Sequence, residues 1–360
     1  MTALVSRAAP RRVSPARTVL VLLGLLVVLL GLMTSAVGTG AVAIPADQVW
    51  ASVRDHVLGV PATSPNDAIV WQIRLPRVLL AALVGAALTT AGTVVQVMVR
   101  NALADPFLLG VSSGASVGAT AVMLFGALSA LGVWSLSAGA IGGALVAMVL
   151  VFVVAQRGGH VAPTQLVLTG VVMSSMFSAI ASFLLFRANP QATQAVLFWM
   201  LGSFGSATWD HLGLPALVLA LGLVHLMARA RALNALAAGA QVAGSVGVDV
   251  HRLRVELFVV TSVLAGACVA VSGVIGFIGL VGPHIVRLLV GSDHRRALPV
   301  GVLFGACFAV LGDLLARVLV APQEMPMGVI TAFVGAPVLL VLLRRRAGYD
   351  GADSAGAGGA

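Results

Sequence analysis

The 360-residue chain is 59% hydrophobic and only 9% charged, with a formal net charge of +9 and a mean hydropathy of +1.07. A soluble domain carries roughly a quarter charged residues, so this composition excludes an ordinary globular protein and predicts a polytopic membrane protein. All 21 basic residues are arginine. Without lysine the chain cannot form the ATP-binding loop GxxxxGK[ST]. The arginines lie mainly between apolar runs, which argues against nucleic-acid binding.

Apolar runs of about 20 residues, the length needed to cross a bilayer, recur along the chain and predict ten transmembrane helices. The third and eighth are flanked by Gly- and Pro-rich sequence, which is typical of short or broken helices. A basic stretch before the first run resembles a signal peptide, but the many later spans favour an uncleaved first helix. The predicted spans are 18–38, 75–98, 107–127, 134–155, 164–186, 212–230, 254–275, 278–291, 298–320 and 327–343.

The distribution of arginines predicts the orientation. With the N-terminus in the cytoplasm, sixteen of the 21 arginines lie on the cytoplasmic side, as the positive-inside rule requires. We therefore expect both termini in the cytoplasm. The predicted organisation is a cytoplasmic tail over 1–17, a transmembrane domain over 18–346 and a disordered cytoplasmic tail over 347–360.

One short pattern, GAxxxxxG, recurs within the apolar runs, beginning at Gly85, Gly266 and Gly305. Glycines seven residues apart share a helix face and allow close helix approach. The first two copies lie in different halves of the chain with five spans each, and an odd number of spans would make the halves inverted. Packing of small residues without any duplication is the alternative.

Three features that could suggest catalysis have simpler interpretations. The GVSSG sequence at 110–114 matches the nucleophile elbow of hydrolases, but that motif requires a strand-to-helix turn and an α/β sheet. Cys268 and Cys307 lie in apolar runs and are predicted to be buried small hydrophobic residues. His284 and Arg287 share a helix face, but no further ligand at metal spacing accompanies them. No catalytic residue, metal or cofactor is expected.

Pro283 is predicted to be a first-turn residue of its helix, following a bend at Gly279–Gly282. Near the outer end of the ninth span, Asp313 and Arg317 are spaced i,i+4, so they either pair structurally or serve a function. Arg74 and Arg77 are predicted on the same side of the membrane.

The segment Leu233–Asp249 is too polar and Gly-rich to span a membrane. It predicts two short cytoplasmic helices, 233–238 and 240–246. Either the segment is a docking surface for a partner or it is a plain linker.

Five stretches together resemble the FecCD family of importer permeases, over about 18–346 of the chain. They are RLPRVLLAALVGAAL (74–88), NALADPFLLGVSSGA (101–115), GVIGFIGLVGPHIVRLLVGSDHRRALP (273–299), GDLLAR (312–317) and EMPMGVITAFVGAPVLLVLL (324–343). The family consists of membrane subunits of ABC transporters for iron–siderophore complexes, haem and cobalamin. The resemblance implies an all-α, type II ABC importer permease fold with ten transmembrane helices in inverted five-helix halves. It also implies a homodimer in the cytoplasmic membrane, in contact with membrane lipid.

The resemblance further implies two cytoplasmic ABC ATPase subunits and an extracytoplasmic substrate-binding protein as partners. The implied site residues fall into four groups. Arg74, Arg77 and Arg317 would dock the binding protein, and Pro163 and Thr164 would form a cytoplasmic gate. Pro283, His284, Arg287 and Asp313 would belong to the structural signature of the fold. The ATPase-coupling positions would be Leu233, Ala238, Gly239, Gln241, Gly244, Val246 and Gly247. Family members usually carry acidic residues where this chain has Ala240-Gln241, which puts a salt bridge there in doubt.

The sequence therefore predicts a permease that imports an iron(III)–siderophore complex, with haem or cobalamin as the alternative cargo. Two rivals come from other classes. An ion-coupled secondary transporter should show an acidic or histidine relay at the membrane midplane. A membrane-embedded hydrolase should use Ser112 as its nucleophile.

Overall fold

The computed structural model describes residues 14–61, 65–157 and 160–356, and helices account for nearly all of its regular structure. A π-helical turn, Ile69–Arg74, leads directly into the third helix. A two-residue antiparallel pair, Gln156–Arg157 with His160–Val161, joins α5 to α6. The helices are α1 Pro15–Gly38, α2 Ala46–Leu58, α3 Leu75–Val99, α4 Val111–Phe125, α5 Ser135–Ala155, α6 Pro163–Phe186, α7 Pro190–Met200, α8 Gly213–Ala228, α9 Ala230–Ala238, α10 Ala240–Ser245, α11 Val250–Ser272, α12 Ile278–Val290, α13 His294–Val318 and α14 Met327–Gly356.

Seven helical stretches in the described residues are long and apolar enough to cross a membrane, and three shorter apolar helices accompany them. These ten elements coincide with the ten predicted spans. The two spans predicted to be short are short: α4 has 15 residues and α12 has 13. The sequence did not predict α2 and α7 as spans, because α2 is too polar and α7, with 11 residues, is too short to cross a membrane.

The short helices occupy equivalent places, since each is the third span of its half. Each also follows an irregular stretch with positive φ angles, at Arg100 and Gly110 before α4 and at Gly273 and Phe277 before α12. Non-helical backbone at membrane depth is tolerated only where protein or a cavity surrounds it. This correspondence agrees with the predicted division into two related five-helix halves.

Glycine contacts bring the two halves together at the centre of the protein. A methyl group added at Gly85 on α3 would clash with the carbonyl oxygen of Gly305 on α13, and one added at Gly92 would clash with Gly279 on α12. The first and third copies of GAxxxxxG therefore pack directly on each other, as small residues do in membrane bundles. In the second copy Gly273 lies just beyond the end of α11, where its φ of +69° turns the chain.

The prediction for Pro283 was wrong. Gly279 and Gly282 are helical, and Pro283 lies inside α12 rather than in its first turn. A proline has no amide hydrogen, so the carbonyl of Gly279 four residues earlier loses its helical donor. The side chain of Gln96 replaces that donor, with Nε2 lying 3.4 Å from the Gly279 oxygen and 3.3 Å from the Leu280 oxygen. A long-range side-chain contact thus stabilises a proline that the local sequence alone would place at a helix start.

The first and last helices of the described residues extend beyond the predicted ends of the transmembrane domain, residues 18 and 346. α1 begins at Pro15, where Ser14 caps the helix by accepting a hydrogen bond from the amide of Arg17. α14 continues to Gly356, past the predicted domain end at residue 346. Residues 1–13 and 357–360 of the two predicted tails lie outside the described residues.

Candidate functional site

Four charged residues form a network at the predicted outer end of α3 and α13, here called the outer charge cluster: Arg77, Asp313, Arg317 and Glu324. Arg77 donates from Nε to Asp313 Oδ1 at 2.9 Å, and its Nη2 lies 2.9 Å from the same oxygen. Its Nη1 donates to Glu324 at 2.9 Å. Arg317 Nε lies 3.2 Å from Asp313 Oδ2, so the predicted i,i+4 pair exists. One carboxylate therefore pairs with two arginines, and Glu324 supplies the second negative charge of the cluster.

Burial within the outer charge cluster is graded. The side chain of Asp313 is 2% exposed and that of Arg317 is 7% exposed, whereas Glu324 is 49% exposed. Arg317 also donates to the carbonyl of Thr39 at 3.0 Å, which ties α13 to the end of α1. The inner part of the cluster therefore holds the helices together. Its solvent-facing edge is Glu324, which pairs with the 11% exposed side chain of Arg77. No local sequence pattern points to Glu324, since only the fold brings it within reach of Arg77.

Arg74 does not join the outer charge cluster, which corrects its expected role as an outward docking residue. Its guanidinium donates to the carbonyl oxygens of Val37, Gly38 and Val42, at 2.8, 3.1 and 2.6 Å. The residue is only 7% exposed. Arg74 and Arg77 are three residues apart but bind different partners, because Arg74 ends the π-helical turn and closes the connection that follows α1. Arg74 therefore links the start of α3 to the end of α1 and stabilises the fold.

The non-spanning segment consists of α9, Gly239, α10 and residues 246–249, here called the coupling segment. Its two helices confirm those predicted at 233–238 and 240–246. On α9, Leu233 and Leu236 are fully buried against the transmembrane helices. On the opposite face the segment presents mostly small side chains to solvent. Of the expected coupling positions, Ala238, Gln241, Gly244, Val246 and Gly247 are exposed.

Two of the expected coupling positions are not on this exposed face. Leu233 has no exposed surface, so it anchors α9 and cannot contact a partner directly. Gly239 is buried and has a φ of +138°, a conformation that residues with a side chain rarely adopt. It makes the break between α9 and α10. By contrast, a side chain added at Gly244 would meet nothing within 4 Å.

The remaining expected residues lie in different parts of the fold. Pro163 is the first residue of α6, and Thr164 beside it is exposed. Arg287 lines a cavity of about 270 Å³ with Arg100 and His294. His284 is half-buried one turn earlier on α12. Neither residue belongs to a group of potential metal ligands within the described part of the chain.

A second cavity, of about 780 Å³, lies between α4, α6 and the start of α12. Its lining carries several polar groups on membrane helices, including Ser112 on α4, Ser174 and Ser178 on α6, and Asp105 on the connecting turn. Ser112 follows the 3₁₀ turn Pro106–Leu109 and not a strand, so the GVSSG sequence does not form a hydrolase elbow. Polar groups at this depth are typical of a cavity that admits water or a polar cargo.

The protein is thus a helical membrane protein with a buried charge cluster at one end and a non-spanning helical pair at the other. Residues 17–345 match the FecCD transport family. The chain belongs to the FecCD transport family. The resemblance drawn from the sequence motifs is thereby confirmed, and the chain is a multi-pass membrane permease of the ABC-transporter type.

Relatives of known type cover most of this permease. It is 39% identical to the hemin transport system permease protein HmuU of Yersinia pestis over 331 residues, which is 90% of this chain and 96% of HmuU. It is 42% identical to the cobalamin import system permease protein BtuC of Halobacterium salinarum over 288 residues, which is 80% of this chain and 76% of that protein.

The fold also matches a solved structure of an ABC transporter assigned to the metal-chelate type, in an inward-facing conformation. The TM-score is 0.79 at 31% identity, and the match covers 90% of this chain and 99% of the other. The all-helical permease fold predicted from the sequence is therefore confirmed.

Proposed function

We propose that this permease acts as a homodimer in the cytoplasmic membrane, with both termini in the cytoplasm, and imports an iron(III)–siderophore complex. Two separate ABC ATPase subunits supply the energy, and an extracytoplasmic binding protein delivers the cargo. The exposed apolar side chains of α1 and α5 contact membrane lipid. The observation that carries this proposal is the coupling segment, a rigidly anchored helical pair that does not span and has an exposed face of small side chains.

The coupling segment is suited to receive an ATPase subunit. Leu233 and Leu236 hold α9 against the membrane domain, so a displacement of the exposed face must move the helices beneath it. The small residues Ala238, Gly244 and Gly247 allow a partner to approach closely, while Val242 and Val246, 47% and 65% exposed, offer apolar contacts. Gln241 is neutral, so this interface depends on shape and apolar contact and not on a salt bridge at that position.

The opposite end is suited to dock an acidic surface of the binding protein. We assign the docking contact to Arg77, which reaches the exposed carboxylate of Glu324, and a supporting role to Arg317, which binds Asp313 and the Thr39 carbonyl. Glu324 occupies the outward donor Nη1 of Arg77 in this structure. A carboxylate on the binding protein would replace Glu324 in that pair. Arg74 serves the fold of the permease and not the docking.

The cavity beside α6 is suited to form part of the translocation path. It lies next to the helix whose first turn contains Pro163 and Thr164, and the face of α6 that lines it includes Val171, whose side chain is exposed. A second copy of the chain packed against this face would close the path between the two subunits. The exposed Thr164 side chains of the two copies would then form the cytoplasmic gate.

The cargo can be decided by reconstituted transport. The complex, purified from native membranes through a tag on this chain, is placed in liposomes with the binding protein encoded beside it. We expect ATP-dependent uptake of an iron(III)–siderophore complex. Haem and cobalamin form parallel arms of the assay, because two relatives are named for hemin and cobalamin transport. Uptake of one of these in place of the siderophore complex would reassign the cargo. Uptake that persists without any ATPase subunit would identify an ion-coupled carrier.

A further inference from the structure

A single side chain connects the coupling segment to the start of a transmembrane helix. Asn234 on α9 donates from Nδ2 to Oδ1 of Asp293 at 2.7 Å. Its Oδ1 accepts the backbone amide of His294 at 2.9 Å and lies 2.6 Å from Nδ1 of the His294 ring. Asp293 caps α13 by accepting the amide of Arg295 at 3.1 Å. Asn234 thus bonds to the cap and to the first residue of α13.

These bonds require an amide at position 234. The donor side faces a carboxylate and the acceptor side faces an amide hydrogen, so neither aspartate nor a hydrocarbon could make both bonds. Partial burial acts to raise the pKa of Asp293, but the hydrogen bonds from Asn234 and Arg295 and the charges of Arg295 and Arg296 bring that pKa below its ordinary value. Asp293 is therefore a carboxylate at neutral pH, and bonds to a charged acceptor are stronger than neutral ones.

The other end of the same helix carries the outer charge cluster. α13 has 25 residues, which at about 1.5 Å per residue is long enough to cross the membrane. Near its far end Asp313 binds both Arg77 and Arg317. Between the two ends α13 packs on α3 through Gly305 and Gly85 at backbone contact distance. Such packing transmits displacement because a close-packed core cannot deform continuously.

We propose that Asn234 is a positioning residue that makes α9 and α13 move together, so that movement of the coupling segment reaches the outer charge cluster through α13. This inference rests on the proposed function, in which the ATPase docks on the coupling segment. Asn234 itself contacts neither partner, since its amide is directed at Asp293 and His294.

The test compares variants of the full complex in lipid nanodiscs, with and without the binding protein. Asn234→Leu removes both hydrogen bonds. We expect basal ATP hydrolysis to stay within about twofold of the wild type, while the stimulation by the binding protein falls about tenfold. Asn101→Ala is the matched control. In the described residues the side-chain oxygen of Asn101 accepts a hydrogen bond from the backbone amide of Leu103, within the same turn, and does not connect two helices.

A double variant that exchanges the side chains of Asn234 and Asp293 controls for a general folding defect. Asn234→Asp alone places two carboxylates in contact and should lose stimulation. Adding Asp293→Asn restores a donor–acceptor pair, leaves an acceptor for the His294 amide and keeps a residue that caps helices well. Stimulation should then recover.

Full stimulation in Asn234→Leu, or no recovery in the exchange variant, would overturn the inference. Failure of the proposed function is distinguishable, since the wild-type complex would then itself show no stimulation.

Discussion

Arg77 and Asp313, 236 residues apart in the chain, form a two-pronged ion pair in which Nε and Nη2 of the arginine both lie 2.9 Å from Oδ1 of the aspartate. Asp313 simultaneously binds Arg317, so it is the common partner of two arginines at the predicted outer end of α3 and α13.

We predict that Asp313→Asn strongly destabilises the permease. Removing one partner of a buried ion pair leaves an uncompensated charge and costs about 3–5 kcal/mol. Thermal unfolding of the purified permease should therefore begin at a clearly lower temperature. Glu324→Gln is the matched control, since an exposed pair contributes at most about 1 kcal/mol. Equal decreases in unfolding temperature for the two substitutions would contradict the division of the outer charge cluster into a buried inner part and a solvent-facing edge.

The docking of the binding protein should depend on Arg77 and Glu324 in opposite directions. Arg77→Gln also removes a partner of Asp313 and should lower stability, so docking is compared in the folded fraction, where it should weaken about tenfold. Glu324→Gln should tighten docking by at most about fivefold by releasing Nη1 of Arg77. Docking should weaken as salt rises, because rim charges are screened over about 8 Å at physiological ionic strength. Surface plasmon resonance on nanodiscs measures all three effects. A Glu324→Gln variant that docks more weakly would refute the proposal that a carboxylate of the binding protein replaces Glu324 as the partner of Arg77.

Arg74 provides a separate test of structural against docking roles. Arg74→Gln removes donors from three backbone carbonyls and should lower the unfolding temperature, because buried unsatisfied acceptors cost about 1–3 kcal/mol each. The affinity for the binding protein should not change in the folded fraction. If Arg74→Gln weakened docking without lowering the unfolding temperature, Arg74 would instead be a contact residue for the binding protein.

Glycine substitutions in the coupling segment should separate coupling from folding. Gly244→Glu places a charged side chain in open space, so the permease should fold and dimerise while transport is lost and ATP hydrolysis continues. Gly239→Val should instead reduce the yield of folded protein, because valine is strained at a φ of +138°. Transport and ATP hydrolysis assays, with size-exclusion chromatography as the folding control, distinguish the two outcomes. Normal transport by Gly244→Glu would refute the proposal that the ATPase docks on the coupling segment.

The cytoplasmic gate is open to a cross-linking test. Thr164→Cys, in a background without the buried Cys268 and Cys307, should form a disulfide with its symmetry mate in at least one nucleotide state. A disulfide requires Cα atoms within about 7 Å, so the bond reports direct approach. Val27→Cys on the exposed face of α1 is the control and should not cross-link. Absence of the Thr164→Cys disulfide in every nucleotide state would exclude the gate assignment.

The bond between Gln96 and α12 can be measured with a double-mutant cycle. Gln96→Leu leaves the Gly279 carbonyl without a donor and should cost about 1–3 kcal/mol. In a Pro283→Ala background the restored amide satisfies that carbonyl, so the same substitution should cost less. Thr90→Val is the control, because the Thr90 hydroxyl bonds only within its own helix. An equal cost in both backgrounds would show that Gln96 does not compensate for Pro283.

The sequence by itself determined the membrane class, the ten spans, the shortness of the third and eighth spans (α4 and α12) and the family. These properties depend on apolar run length, on breakers near helix ends and on local motifs, all of which are read along one stretch of chain. The i,i+4 pairing of Asp313 with Arg317 was predictable for the same reason, since helical spacing alone brings the two residues together.

Only the tertiary structure decided which polar groups meet across the halves. Arg74 and Arg77 look equivalent in the sequence. Yet Arg74 binds backbone carbonyls at the end of α1 and in the connection after it, whereas Arg77 binds Asp313 and Glu324. Pro283 is accommodated inside a helix because Gln96, distant in the chain, supplies the missing donor. In a membrane interior every such group must find a partner within the protein. Which partner it finds depends on how ten helices pack, and that information is spread over the whole chain.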